Sequence, residues 1–275
     1  MLIRLPTKKH LKAWALVNDA RKQRSLSLRE IQMITGYLNF VTTVTPLGRT
    51  FLRRLYNMEV YFRTGNPHHR RRISAETKRD LVWCSKALSE APERSIADTK
   101  GNIMRVWSDA ASTNGLGAFY LSPNQHKPDP DAAFCIPLPR SVATPREHIN
   151  TTEMRGVEQV LLHWRSKWRG KRLVMHIDNK AVVHDLRNQT IRGGSIPLLR
   201  RCLLLATEYD LHFEARWIST KENALADVLS SLEYYRIADL APQLLQPASS
   251  LLLRGFQTYS NRNFHTEQPT TCGGG

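Results

Sequence analysis

The 275-residue chain has few cysteines and lacks any long apolar run. Its cysteines, Cys84, Cys135, Cys202 and Cys272, include no C-x-x-C pair, and no histidine pair stands at zinc spacing. This pattern excludes a structural zinc site and a disulfide framework. No stretch reaches the roughly 18 apolar residues of a membrane span, and residues 1–12 lack the apolar core of a signal peptide. We therefore expect an intracellular protein without membrane association, in a compartment (nucleus or cytoplasm) that the sequence does not specify.

Acidic residues are scarce relative to basic ones. The chain has 40 Lys and Arg against 24 Asp and Glu, a formal net charge of +16. Residues 1–100 hold 20 basic and 8 acidic side chains, a net of +12, whereas residues 101–275 hold 20 and 16, a net of +4. A basic segment of this kind is typical of nucleic-acid binding, and its alternative is an arginine-rich surface that only confers solubility. Because 41% of the residues are hydrophobic, wholesale disorder is excluded.

Residues 1–100 have apolar positions at helical spacing. Ser27 and Glu30 fit a capping box, in which each side chain satisfies a free amide at the start of a helix. Pro46 suits the first turn of a helix because its missing N–H costs nothing there. The predicted helices cover residues 7–23 (capped by Thr7), the stretch after Ser27, the stretch after Pro46 and residues 75–88 (capped by Ser74), with residues 63–72 as a loop. We expect a small all-α segment that binds or positions a partner.

Residues 101–240 alternate between strand and helix patterns in the order β-β-β-α-β-α-α-β-α. Asn114-Gly115 is a good hairpin turn between the first two strands, and Pro137 places the end of the third strand at a sheet edge. The predicted strands are 104–112, 116–121, 133–138, 173–177 and 212–218, and the predicted helices are 151–168, 179–187, 197–208 and 222–235. This order predicts one α/β domain with a mixed sheet over residues 101–240. Residues 241–275 are expected to form a partly disordered tail.

Four acidic residues stand where such a domain favours a shared site. Asp109 lies in the first predicted strand and Asp178 directly follows the strand 173–177, while Glu153 is placed in the first turn of the long helix and Asp227 in the last helix. A single buried carboxylate is usually a hydrogen-bonded structural group, because an unpaired one loses its hydration. Two acids at neighbouring strand ends with two on covering helices instead favour divalent cations, which prefer oxygen ligands. Paired metal ions activate water in phosphodiester cleavage.

The segments around these acids resemble the ribonuclease H family, and more narrowly the ribonuclease H of retrotransposon polyproteins. They are WSDAASTNGLGAFY (107–120), HINTTEMRGVEQVL (148–161), MHIDNKAVV (175–183) and ARWISTKENALADVLSS (215–231). Residues 26–57 resemble the thumb and connection region that follows a reverse-transcriptase palm. Over residues 1–235 the combination is similar to polyproteins of DIRS-type retroelements, which join reverse transcriptase to ribonuclease H and commonly carry a tyrosine recombinase.

The resemblance implies a ribonuclease H-like α/β fold, with a mixed five-stranded sheet flanked by helices and preceded by the all-α segment. It implies that Asp109, Glu153, Asp178 and Asp227 hold two Mg²⁺ ions, with Mn²⁺ as the alternative metal. The implied reaction is endonucleolytic hydrolysis of the RNA strand of an RNA–DNA hybrid, whose 2′-hydroxyls distinguish RNA from DNA. The implied protein partner is a reverse-transcriptase palm within a longer polyprotein.

Contacts to the hybrid are expected from basic side chains that grip phosphates without reading sequence. The candidates in the first hundred residues are Arg53, Arg54, Arg70, Arg71 and Arg72. Asn179 is a further candidate for a contact to the substrate or to the metal's water shell, and a helix N-cap is an equally open interpretation of that residue.

The sequence departs from the family pattern in several places. The Tyr-x-Asp-Asp signature of a polymerase palm is absent, so we do not expect DNA synthesis by this chain alone, and the chain is interpreted as a fragment or a decayed reading frame. The usual Leu-Ser-Arg ending of the last motif is Leu229-Ser230-Ser231. The tail after Pro242 resembles the start of a recombinase core-binding segment. Two alternatives remain open: a catalytically silent nucleic-acid-binding remnant, and a recombinase- or integrase-type nuclease on the same fold.

Overall fold

The structure is a computed structural model of the chain, and it describes residues 2–42, 49–62, 69–89, 93–95, 103–111, 114–139, 147–189 and 195–245. Several sequence predictions lie outside these residues. They concern Pro46, most of the predicted loop 63–72, the end of the first strand at Ser112, Cys272 and the tail beyond residue 245. Within the described residues, every helix is too short or too polar to cross a lipid bilayer.

The first part of the chain contains the predicted helices, α1 (Thr7–Lys22), α2 (Leu28–Val41), α3 (Arg49–Val60) and α4 (Ala75–Ser89). The capping box at the start of α2 is confirmed, since Glu30 N–H donates to the Ser27 hydroxyl and the Ser27 N–H donates to the Glu30 carboxylate. Ser74 likewise accepts from Thr77 N–H at the start of α4. The predicted cap Thr7 is instead the first residue of α1, because the extended backbone of Pro6 forms the helix boundary.

Two short antiparallel ribbons accompany these helices. Strand β1 (Leu2–Arg4) pairs with β4 (Glu93–Ser95), and β2 (Ser25–Ser27) pairs with β3 (Arg70–Arg72). The pairing of β3 differs from the loop predicted for these arginines. Three identical charged residues carry no alternating apolar pattern, and the partner strand lies far away in sequence, so the ribbon has no local signal.

The second part is built on a five-stranded mixed sheet flanked by helices, which confirms the predicted α/β class and mixed sheet. Its strands are β5 (Ile103–Ala110), β6 (Gly115–Leu121), β7 (Ala133–Pro137), β8 (Arg172–Ile177) and β9 (His212–Trp217). Their order is β7-β6-β5-β8-β9: β6 pairs antiparallel with both β5 and β7, and β8 and β9 run parallel to β5. As predicted, β7 with Pro137 forms an edge.

Helices cover both faces of this sheet. They are α5 (Ile149–Trp164), α6 (Lys180–Asn188), α7 (Ile196–Glu208), α8 (Ala224–Ser230) and α9 (Tyr234–Leu240). One face of β5, with Met104 and Val106, shares a core with α5, α7 and the helices of the first part. The opposite face packs on α8 and α9 in a second core, which also includes Leu244 of the short 3₁₀ turn Pro242–Leu245.

A buried ion-pair network joins the first part of the chain to the sheet domain. The Arg200 guanidinium on α7 donates to Asp80 Oδ2 at 2.8 Å and to the Thr50 carbonyl at 3.1 Å. Arg54 Nη1 lies 3.0 Å from Asp80 Oδ1. Asp80 is buried on α4, so two arginines from different helices compensate one carboxylate. The helices of the first part are therefore packed against α7 through charge as well as apolar contact.

Candidate active site

Three of the four predicted acids converge at one edge of the sheet. Asp109 is the penultimate residue of β5, and Asp178 directly follows β8. Because β5 and β8 are adjacent and parallel, their carboxyl ends meet at the same edge. Glu153 reaches this edge from α5, where it is the fifth helical residue rather than part of the predicted first turn, since α5 begins earlier, at Ile149.

The carboxylates of Asp109, Glu153 and Asp178 form a compact group, which we call the acid triad. One oxygen from each residue lies within 4.8 Å of the other two. Asp109 and Glu153 are buried and Asp178 is half-buried, so the triad opens to solvent on the Asp178 side. No other group of three or more His, Cys, Asp or Glu ligands at this spacing occurs among the residues that the structure describes.

Asp227 lies outside the acid triad but acts on it electrostatically. It is half-buried on α8, and its pKa is raised by burial and by the negative charges of Glu233 and Asp178, against the opposing effect of Arg236. Asp227 in turn helps to raise the pKa of Asp109. The structure thus places the predicted quartet as a close triad with a fourth acid at its margin.

Burial, together with the neighbouring acids, makes two members of the triad, Asp109 and Glu153, hard to ionise. Burial raises the pKa of Asp109 to about 6, with the charges of Asp178 and Asp227 acting in the same direction. The pKa of Glu153 lies well above its ordinary value, first because of burial and then because of Asp109 and Asp178. Across the described ranges, no Lys or Arg forms an ion pair with any member of the triad. The triad therefore concentrates negative charge that a bound cation would offset.

Helix α8, which packs on the other face of the sheet from α5, also contacts the Asp109 carboxylate. The buried Ser230 hydroxyl donates to Asp109 Oδ2, and this bond opposes the rise in the pKa of Asp109. Gly117 on β6 is the register partner of Asp109, and α8 lies directly against it. A Cβ at position 117 would meet backbone atoms of α8, at 2.5 Å from Ala226 O and 2.7 Å from Leu229 C. The absent side chain of Gly117 lets Ser230 reach Asp109.

Asp178 is held by the segment that follows β9. The Thr220 hydroxyl donates to Asp178 Oδ2 at 3.1 Å, and the Trp217 indole N–H donates to the Asp178 carbonyl at 3.0 Å. One bond orients the carboxylate and the other fixes the backbone that carries it. Both donors come from β9 or the turn after it, so the parallel pairing of β8 with β9 positions them.

Asn179 serves as the N-cap of α6, the structural interpretation left open by the sequence. Its Oδ1 accepts from the N–H groups of Ala181 at 3.0 Å and Val182 at 3.2 Å. Its Nδ2 donates to Asn150 Oδ1 at 2.9 Å. Both ends of the amide are thus used within the protein, and a substrate contact by Asn179 stays a prediction.

The predicted phosphate-binding arginines differ in their surroundings. Arg54 is paired with Asp80, Arg70 lies 3.1 Å from the Glu30 carboxylate, and Arg71 donates to the Tyr61 carbonyl at 2.9 Å. Arg53 is half-buried and Arg72 is exposed. Arg54, Arg70 and Arg71 thus have identified partners within the protein, and phosphate contacts by any of the five stay predictions.

Residues that the sequence did not single out complete the site. Ser230 stands one helical turn after Asp227, a spacing that places it on the same side of a helix and was a usable signal. Thr220 and Gly117 had no such signal, because their roles depend on the packing of a turn and of α8.

The chain is similar to several solved structures. No protein-family model and no curated protein matches the chain. The N-terminal RNase H domain of a Mycobacterium tuberculosis protein is 17% identical, with 46% of this chain and 93% of that chain covered and a TM-score of 0.37. RNase H1 from Halobacterium salinarum is 14% identical, with 48% and 98% covered and a TM-score of 0.36.

A foamy viral protease–reverse transcriptase in complex with double-stranded DNA is 15% identical to this chain. The match covers 78% of this chain and 35% of that one, with a TM-score of 0.33. All three TM-scores lie below 0.5, so they add no weight to the assignment of the site. The candidate site rests instead on the strand order and the acid triad of this chain.

Proposed function

We propose that this chain is a metal-dependent ribonuclease H that hydrolyses the RNA strand of RNA–DNA hybrids as part of a retroelement reverse transcriptase. One observation carries the proposal: three carboxylates from β5, α5 and the end of β8 meet within 4.8 Å, without a compensating Lys or Arg among the described residues. A protein tolerates such repulsion where a ligand relieves it, and strongly shifted acids in a cluster are typical of functional sites.

The donor set fits divalent cations. Carboxylate oxygens are the ligands preferred by Mg²⁺, and Mn²⁺ suits the same set. Asp109, Glu153 and Asp178 would hold the metal, and Asp227 would complete the shell of a second ion from the margin of the triad. When bound, a pair of such ions lowers the pKa of the attacking water and offsets charge on the leaving oxygen.

The protein's own contribution is to fix the carboxylates before substrate arrives. Ser230 occupies one oxygen of Asp109 and Thr220 one oxygen of Asp178, so each acid keeps a set orientation and presents its other oxygen. Ligands oriented in this way bind a metal more tightly and with a defined geometry. The closed side of the triad, formed by Asp109 and Glu153, restricts access of bulk water.

Charge supports a nucleic-acid duplex as the substrate. The first hundred residues carry a net charge of +12 and are packed against the sheet domain through Arg200 and Asp80. A basic surface joined to the cleavage domain would hold phosphates of a duplex without reading sequence. Arg70 and Arg72 are the exposed members of the predicted contacts. A polymerase palm in a longer polyprotein, of the DIRS type by sequence resemblance, would supply the hybrid.

A second candidate function is a nucleic-acid-binding remnant without catalytic activity. The position of Asp227 outside the triad favours this candidate, because it leaves fewer carboxylates close enough to hold a second metal ion.

A cleavage assay on a panel of substrates separates the two functions. The purified chain is incubated with Mg²⁺ and an RNA–DNA hybrid, a DNA duplex or single-stranded RNA, each with both ends of each strand labelled. We expect internal cuts in the RNA of the hybrid only, lost in Asp109→Asn and retained in Asp131→Asn, an exposed acid paired with Lys167. Binding of the hybrid without cleavage would establish the remnant, and cleavage of the DNA duplex would establish a recombinase-type nuclease.

A further inference from the structure

A large exposed aromatic side chain lies beside the acid triad. Trp217 is the last residue of β9 and is 47% exposed, although tryptophan is usually well buried. Its indole N–H donates to the Asp178 carbonyl, so the ring is tied to the residue that forms the open side of the triad. The ring has therefore a fixed orientation despite its exposure.

A lysine side chain lies over the ring of Trp217. Lys180 is the first residue of α6, two positions after Asp178, and is exposed. Its Nζ lies 4.6 Å from the centroid of the Trp217 ring, within the range of a cation–π interaction. An aromatic ring oriented by a hydrogen bond and a positive charge thus lie together beside the open side of the acid triad.

These properties match the backbone of a nucleic acid. The ammonium group suits a phosphate, and the indole suits the apolar face of a sugar or base, since aromatic contacts with nucleotides do not depend on sequence. We propose that Trp217 and Lys180 bind the RNA strand of the hybrid at the nucleotide next to the one cut at the triad. This inference rests on the proposed function and assigns the strand contact to residues outside the basic first part of the chain.

Binding measurements with variants test the assignment. The Kd for a fluorescently labelled RNA–DNA hybrid is measured by anisotropy with Ca²⁺ in place of Mg²⁺, over a series of salt concentrations, together with circular dichroism of each variant. We expect Trp217→Ala to weaken binding by roughly five- to tenfold, the effect of one lost aromatic contact, with an unchanged salt dependence. Trp217→Phe keeps the ring but not the N–H bond to Asp178, and we expect it to bind nearly as the wild type.

Lys180 has a different expected signature. Lys180→Gln lowers the slope of log Kd against log salt by about one, the loss of one phosphate contact, and Lys180→Arg restores it. The matched control is Trp14→Ala, which removes an indole of similar exposure, 43%, from α1. It is expected to leave the Kd unchanged.

The outcomes distinguish this inference from the function on which it rests. If the wild type binds the hybrid and Trp217→Ala binds it equally well, the strand contact is overturned while the ribonuclease proposal stands. Equal weakening in Trp217→Phe and Trp217→Ala also overturns the stacking contact, because it traces the loss to the bond with Asp178. A wild-type chain that binds no hybrid overturns both proposals.

Discussion

The buried hydroxyl of Ser230 on α8 donates a hydrogen bond to Asp109 Oδ2 on the central strand of the sheet. The same hydroxyl lies 2.9 Å from the Asp227 carbonyl, so one side chain connects the two elements that carry these acids. The contact exists because Gly117, opposite Asp109, lets α8 lie directly on β6. We infer that the orientation of Asp109 depends on Ser230 as much as on the strand.

Replacement of the Ser230 hydroxyl tests whether it orients the Asp109 carboxylate. Ser230→Ala leaves one carboxylate oxygen of Asp109 without its partner, and a hydrogen bond to a charged group contributes about 1.5–3 kcal/mol. We expect RNA cleavage to fall at least about tenfold and the Mg²⁺ concentration for half-maximal rate to rise. A metal titration of the initial cleavage rate measures both. Ser231→Ala, the neighbouring serine at the end of α8, is the control, and equal rates for the two variants would contradict the role of Ser230.

The close approach of α8 to the sheet predicts an effect on stability. In Gly117→Ala the new Cβ meets backbone atoms, which cannot rotate away, so we expect a loss of about 1–3 kcal/mol or more in the free energy of unfolding. Gly36 in α2 is the matched control because a Cβ there meets nothing within 4 Å. Gly36→Ala is expected to stabilise the protein by about 0.5–1 kcal/mol. Urea denaturation of both variants gives the comparison; a tolerated Gly117→Ala would show that α8 is not held as described.

The raised pKa of Asp109 predicts a pH dependence for the metal-free protein. The folded state holds this proton with a pKa of about 6, against 3.8 as the ordinary value. The folded chain therefore binds more protons than the unfolded chain between these values, and its stability decreases as pH rises from about 4 through about 6. The loss for this residue is about 3 kcal/mol, and Glu153 acts in the same direction.

The difference in unfolding free energy between the wild type and Asp109→Asn isolates this contribution. Measured by urea denaturation in EDTA, the difference should change by about 3 kcal/mol in favour of the variant between pH 4 and pH 7. Added Mg²⁺ should stabilise the wild type more at pH 7.5 than at pH 5, because metal ligands must be deprotonated. A difference that does not vary with pH would contradict the burial and crowding of Asp109.

The ion-pair network of Arg54, Asp80 and Arg200 gives another prediction. Arg200→Ala removes one of the two guanidinium groups from the buried Asp80, whose pKa burial already raises. Breaking a buried pair costs about 3–5 kcal/mol, less here to the extent that Arg54 compensates. Arg79→Ala, which breaks an exposed pair with Glu76, is expected to leave the unfolding temperature nearly unchanged. Thermal unfolding compares the two, and equal costs would contradict a structural role for Arg200.

The sequence predicted the elements whose signals are local. Alternating apolar residues gave the strands around Asp109 and Asp178, and the capping box at Ser27 placed the start of α2 correctly. The sequence also predicted one shared site for all four acids, and the structure brings three of them together where the parallel neighbouring strands β5 and β8 end.

What the sequence missed depends on contacts between distant residues. The ribbon of β2 and β3 pairs segments without apolar periodicity, and the structural partners of Arg54 and Arg71 arise only from helix packing. The position of Asp227 outside the acid triad depends on how α8 packs on the sheet, which no spacing within the last motif records.

The rate of RNA cleavage in a hybrid, measured against Mg²⁺ concentration for the wild type and Asp178→Asn, tests the central claim most directly. If the acid triad is a metal site that cuts RNA, cleavage requires Mg²⁺ and the variant loses at least about 100-fold in rate at saturating metal. Cleavage that persists in EDTA, or that Asp178→Asn leaves unchanged, would contradict the claim.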